Sequence, residues 1–80
     1  MNNIEKLNAI FIEVFSTEAC KLNDDFTNMN IEGWDSIRHL SLTAQIEDEF
    51  DIMFDPEDII ALTSYNCAKQ ILSSKYDIEF

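Results

Sequence analysis

Ser36-Ile37-Arg38-His39-Leu40-Ser41-Leu42-Thr43-Ala44-Gln45-Ile46-Glu47-Asp48-Glu49-Phe50 is the stretch on which the fold turns. It holds no Gly or Pro, and Asp35 and Ser36 at its front are both good N-cap residues, so the spacing predicts a helix over 36–50. At about 100° per residue its apolar side chains separate into two stripes on nearly opposite sides. Leu42, Ile46 and Phe50 form one; Ile37, Leu40 and Ala44 form the other, nearer Ser36, with Glu47 to one side and Asp48 to the other. Two arrangements fit this pattern. Either the helix is central and buries both stripes, or one stripe stays near the surface as an apolar strip with acidic edges, suited to a partner helix or groove. The charges favour the second. Glu47, Asp48, Glu49, Asp51, Asp55, Glu57 and Asp58 crowd seven carboxylates between the end of this helix and the start of the next, enough to steer a basic partner by long-range attraction.

Upstream, Ile4, Leu7, Ile10, Phe11, Val14 and Phe15 recur at spacings of three and four, predicting a helix over roughly 3–16 with Asn2 or Asn3 as its cap. From Glu18 to Trp34 the periodicity disappears, leaving a long loop pinned to the core by Leu22, Phe26, Met29 and Ile31. A loop of this length in so small a domain often carries functional geometry. Downstream, Asp55-Pro56-Glu57-Asp58 supplies a cap, a proline at the first helical position and first-turn acids for a short helix over 56–61. Thr63 or Ser64 caps a last helix over 64–75, with Tyr65, Ala68, Ile71, Leu72 and Tyr76 as its apolar stripe, and the tail 77–80 is expected to fray. The expectation is one all-α domain over 1–80: three longer helices, a short third helix and a long first loop.

Composition agrees with this reading and narrows the function. Eighty residues hold one small core and leave no room for a large catalytic cleft. A net charge of −11 repels phosphate backbones and anionic lipid, which speaks against nucleic-acid or membrane partners and for basic ones, although such charge also serves solubility alone. Cys20 and Cys67 lie far apart without CxxC spacing, so two buried, reduced thiols are expected rather than a zinc or redox site. The start Met1-Asn2-Asn3-Ile4-Glu5-Lys6 lacks the basic and apolar regions of a signal peptide, and a monomer in the cytoplasm is expected.

Gly33-Trp34-Asp35-Ser36-Ile37 opening a helix, followed by Leu40, Leu42, Ile46 and Glu47-Asp48-Glu49-Phe50, resembles the acyl carrier protein family. The likeness runs from the first helix through the long loop, the Asp-Ser-Ile sequence, the acidic second helix, Phe54-Asp55-Pro56-Glu57-Asp58-Ile59 and the final helix, covering essentially all 80 residues. It implies a four-helix bundle of the acyl-carrier type, in which Ser36 receives 4'-phosphopantetheine from coenzyme A by the action of a phosphopantetheinyl transferase. By the same resemblance Asp35 is the acidic residue preceding the attachment serine. Ile37, Leu40 and Ala44 match the family's apolar contact strip, and Glu47 and Asp48 the acids that meet basic patches on acyl-loading, elongating or transferring enzymes. The chain itself would be a carrier and not an enzyme. Trp34 stands where bacterial fatty-acid carriers commonly have a small residue, and Arg38-His39 places a cation where they are often acidic or neutral. These departures leave room for a specialised carrier, serving a polyketide-like, aminoacyl or sugar-modifying pathway rather than housekeeping fatty-acid synthesis.

Three other readings of the same residues compete with this one. Ser36, His39 and Asp35 are residue types of nucleophilic catalysis, but there is no Gly-x-Ser-x-Gly elbow and too little chain for a desolvated pocket. Asp51, Asp55, Glu57 and Asp58 do not reproduce the spacing of a calcium loop, and no glycine occupies its turn. The third is a non-enzymatic acidic adaptor that keeps the carrier fold without using its serine.

Overall fold

The computed structural model describes residues 2–80. Its described residues form four α-helices, α1 (Asn3–Phe15), α2 (Ser36–Phe50), α3 (Pro56–Ala61) and α4 (Tyr65–Lys75), with a single turn of 3-10 helix at Ala19–Lys21 inside the first loop and no strand. Asn2 caps α1 by accepting from the Glu5 N–H at 3.0 Å. The helix stops one residue before the predicted end because Ser16 turns into the left-handed region at φ 52° and sends its N–H back to the Ile12 carbonyl. Ser64 caps α4 from outside, its hydroxyl accepting from the Cys67 N–H at 2.9 Å.

The core lies where the predicted stripes meet. Leu7, Ile10, Phe11 and Val14 of α1 bury themselves with Leu42 and Ile46 of α2 and with Tyr65, Ala68 and Leu72 of α4, closed by Leu62, Phe54 and the loop residue Phe26. Phe11 is the hub: its ring centroid lies 5.9 Å from Phe15, 5.7 Å from Phe26, 6.3 Å from Trp34 and 5.3 Å from Tyr65. Edge-on contacts dominate, as the ring quadrupoles favour. The first loop is tied down by backbone as well as by Phe26. Thr27 forms an isolated antiparallel bridge with Ser64, the Asn28 N–H donates to the Thr63 carbonyl at 2.8 Å, and the Tyr65 N–H donates to the Phe26 carbonyl at 2.9 Å.

Several expectations need correction. Met29 is no anchor, being 89% exposed; Phe26 does that work, with Leu22 and Ile31 packed against the core beside it. The cysteines are free but not buried. Cys20 sits exposed on the 3-10 turn, outside any core-facing stripe, and Cys67 is half-buried in the first turn of α4. The tail makes contacts instead of hanging free. The Ile78 N–H donates to the Leu72 carbonyl at 3.1 Å, Asn3 Nδ2 donates to the Glu79 carbonyl at 3.0 Å, and the Phe80 ring meets Phe50 edge-on at 6.4 Å.

Asp58, a first-turn acid counted among the seven carboxylates expected to steer a basic partner, is instead buried to 4% exposure. Its Oδ1 accepts from Lys75 Nζ at 2.7 Å and its Oδ2 from the Tyr76 hydroxyl at 2.7 Å; that hydroxyl accepts in turn from the Asp55 N–H at 3.1 Å. This network latches α3 to the end of α4. The Lys75 hydrogen bond, then that of Tyr76, hold the Asp58 carboxyl below its ordinary range against the opposing effect of burial, and Asp58 in turn raises Lys75. A depressed folded-state pKa gives stability that is present above the unfolded value of about 3.9 and lost as pH falls through the folded one. Asp58→Asn is therefore expected to melt at a lower temperature than the parent at neutral pH, with the gap narrowing in acid. A melting series over pH checks this, and a gap independent of pH would refute the latch.

Candidate functional site

The site forms where the long loop becomes α2. Gly33, at φ 105°, takes a backbone conformation that a side chain would strain, and the turn it makes brings Asp35 into the cap position. Asp35 Oδ1 accepts from the Arg38 N–H at 2.8 Å, and its carbonyl accepts from the His39 N–H at 2.9 Å. Ser36 is the first helical residue and exposed. Among the described residues, the N–H groups of Ser36 and Ile37 donate to no protein acceptor, so the positive end of α2 faces solvent beside the serine hydroxyl.

Three side chains fix this turn to the bundle. Arg38 Nη1 reaches back to the Val14 carbonyl at 2.9 Å, satisfying a C-terminal carbonyl of α1 and placing a cation at that helix's negative end. Trp34 lays its ring against Phe15 at 4.8 Å and Phe26 at 6.1 Å, extending the aromatic core to within two residues of Ser36. Its Nε1–H donates to His39 Nδ1 at 3.1 Å. Because Nδ1 accepts, the neutral ring carries its proton on Nε2, which donates to the Ile59 carbonyl at 2.6 Å. Loop, α2 and α3 are thus joined through one imidazole. Both ring nitrogens are engaged by Trp34 and Ile59, and neither bonds the Ser36 hydroxyl.

Beside the serine lies an open cleft of about 390 Å³, lined by Asn28, Trp34, Asp35, Ser36, His39 and Leu40. Further along α2, the two predicted stripes separate as one buried and one exposed. Leu42 and Ile46 are fully buried and Phe50 half-buried, whereas Ile37 is 79% exposed, Leu40 60%, and Ala44 also lies on the surface. Asp48 is exposed at the margin; Glu47 is half-buried, and its Oε2 accepts from the Phe54 N–H at 2.8 Å, so it also holds the turn between α2 and α3. Met53 and Ile60, not singled out from the sequence, are two further large exposed apolar residues in the neighbouring segment. Their only sequence signal is an apolar residue outside any periodic stripe.

Among the described residues no group of three or more His, Cys, Asp or Glu side chains is placed to hold a metal ion. No described helix is long and apolar enough to cross a membrane. No protein-family model and no curated protein matches this chain.

Proposed function

We propose that the protein is an acyl carrier whose Ser36 bears 4'-phosphopantetheine. The observation that carries this reading is an exposed serine at the first position of a firmly capped helix, with an exposed apolar strip and acidic margin on that same helix. In the attachment step Ser36 Oγ attacks the pantetheine-bearing phosphorus of coenzyme A. The Oγ–P bond forms, the pyrophosphate P–O bond breaks, adenosine 3',5'-bisphosphate leaves, and the hydroxyl proton passes to a base of the transferase. The residues present suit such a group, because the phosphodiester would lie beside the free N–H groups of Ser36 and Ile37, where the helix dipole tolerates an anion. When bound, the arm supplies a thiol on which acyl groups ride as thioesters. Ser36 is an attachment point and the chemistry of acyl transfer belongs to the partners.

The acidic surface serves recognition. Among the described residues both ion pairs are made by Lys75, to Asp58 and Glu57, so Asp48, Glu49, Asp51 and Asp55 have no cation in ion-pair range and present their charge to solvent. Basic enzymes are the expected partners, drawn by charge and seated on Ile37, Leu40 and Ala44. The test is intact mass after incubation of apo protein with coenzyme A and a broad-specificity phosphopantetheinyl transferase. Wild type is expected to gain one phosphopantetheine and Ser36→Ala none. Folded wild-type protein that stays unmodified with several transferases would turn the assignment to an acidic adaptor.

A further inference from the structure

Resting on the carrier reading, we infer that the cleft beside Ser36 is the seat of the pantetheine arm and of a short acyl group it carries, and that this cargo is held outside the helix bundle. Two observations point there. First, the cleft begins at the attachment point, since Ser36 itself lines it, and its volume of about 390 Å³ falls toward the small end of the roughly 300–1,000 Å³ typical of small-molecule sites. Its walls pair the apolar faces of Trp34 and Leu40 with the side-chain amide of Asn28, which offers both a donor and an acceptor to the amides of a pantetheine chain. Asn28 is exposed and its position is fixed by backbone, through its N–H to the Thr63 carbonyl at 2.8 Å.

Second, the route from Ser36 into the bundle is closed. Between α2 and α3 the His39 imidazole bonds the Ile59 carbonyl at 2.6 Å, and on the loop side the Trp34 ring lies against Phe11, Phe15 and Phe26. Behind them Leu42, Ile46, Leu62, Ala68 and Leu72 are completely buried against one another. To admit a long chain, the protein would have to break the Trp34–His39–Ile59 relay and part a close-packed interior, at a cost the open cleft spares. Short acyl groups fit this arrangement and long lipid chains do not.

The experiment loads apo protein with acetyl-, butyryl- and octanoyl-phosphopantetheine from the corresponding coenzyme A thioesters, confirms each product by mass, and follows side-chain resonances by NMR. Loading is expected to shift the Trp34 indole N–H and the Asn28 side-chain amide. The methyl groups of Ile46, Leu62 and Leu72 are expected to stay in place as the chain lengthens. Methyl shifts that grow with chain length would overturn the inference by placing the cargo in the bundle, and loading that moves neither set would overturn it by leaving the arm in solvent. His39→Ala removes one wall of the barrier. In that variant, if folded, octanoyl loading is expected to shift the core methyls; the wild-type series decides the matter without it. Absence of any mass gain is a different failure, that of the carrier assignment itself.

Discussion

Phe11→Ala is expected to lower the melting temperature by on the order of 20 °C. Truncating a buried aromatic costs about 3–5 kcal/mol, and each kcal/mol moves the midpoint of a domain this small by about 4–8 °C. The total stability available to 80 residues is itself only about 4–12 kcal/mol. Phe11 is completely buried and touches four other aromatic rings drawn from α1, the loop, the turn before α2 and the start of α4, so its loss opens a void that no single neighbour can fill. The site should suffer with the fold, since Trp34 leans on that ring. Thermal melting by circular dichroism is the check, and a drop of under about 5 °C would mean that Phe11 is not the hub described.

Ile37→Asp is expected to leave the fold within about 0.5 kcal/mol of wild type while cutting kcat/KM for the transferase about tenfold or more. Ile37 is 79% exposed and nothing in the core depends on it, which puts the substitution in the class of surface changes with little effect on stability. A central apolar contact in an interface is worth about 1–3 kcal/mol, and 1.4 kcal/mol is a factor of ten. Met29→Asp is the matched control: Met29 is exposed to 89% and lies on the loop rather than on α2, so the same change there should leave the fold alone and lower kcat/KM less than Ile37→Asp does. Equal losses in both variants would show that added charge alone, and not the α2 strip, governs recognition.

The helices were legible because their stripes repeat. Leu7, Phe11 and Val14, or Ala68 and Leu72, announce a buried face by spacing alone, and Asp35 and Ser64 announce where helices begin by the chemistry of their side chains. Where the pattern stops, so does the reading. Phe26 and Met29 look alike as lone apolar residues in an aperiodic loop, and only the backbone pairing with the α3–α4 connection decides which one points inward. The burial of Asp58 depends on Lys75 and Tyr76, a full helix away in the chain. Arg38 likewise finds its partner in a carbonyl at the end of α1, and the imidazole of His39 finds one in α3. Ser36 at the head of α2 and the apolar strip are local features of one helix and are legible from its spacing. What holds them in place is long-range, and spacing does not carry it.

The bridge between Thr27 and Ser64 also sets an order in time. A ribosome delivers Ser36 well before the segment that fixes the loop in front of it, and contacts between distant parts of a chain are the slow ones to close. A nascent chain halted before Ser64 would therefore display the serine without the settled turn around it. On the carrier reading, competence for modification should then arrive only with the last helix.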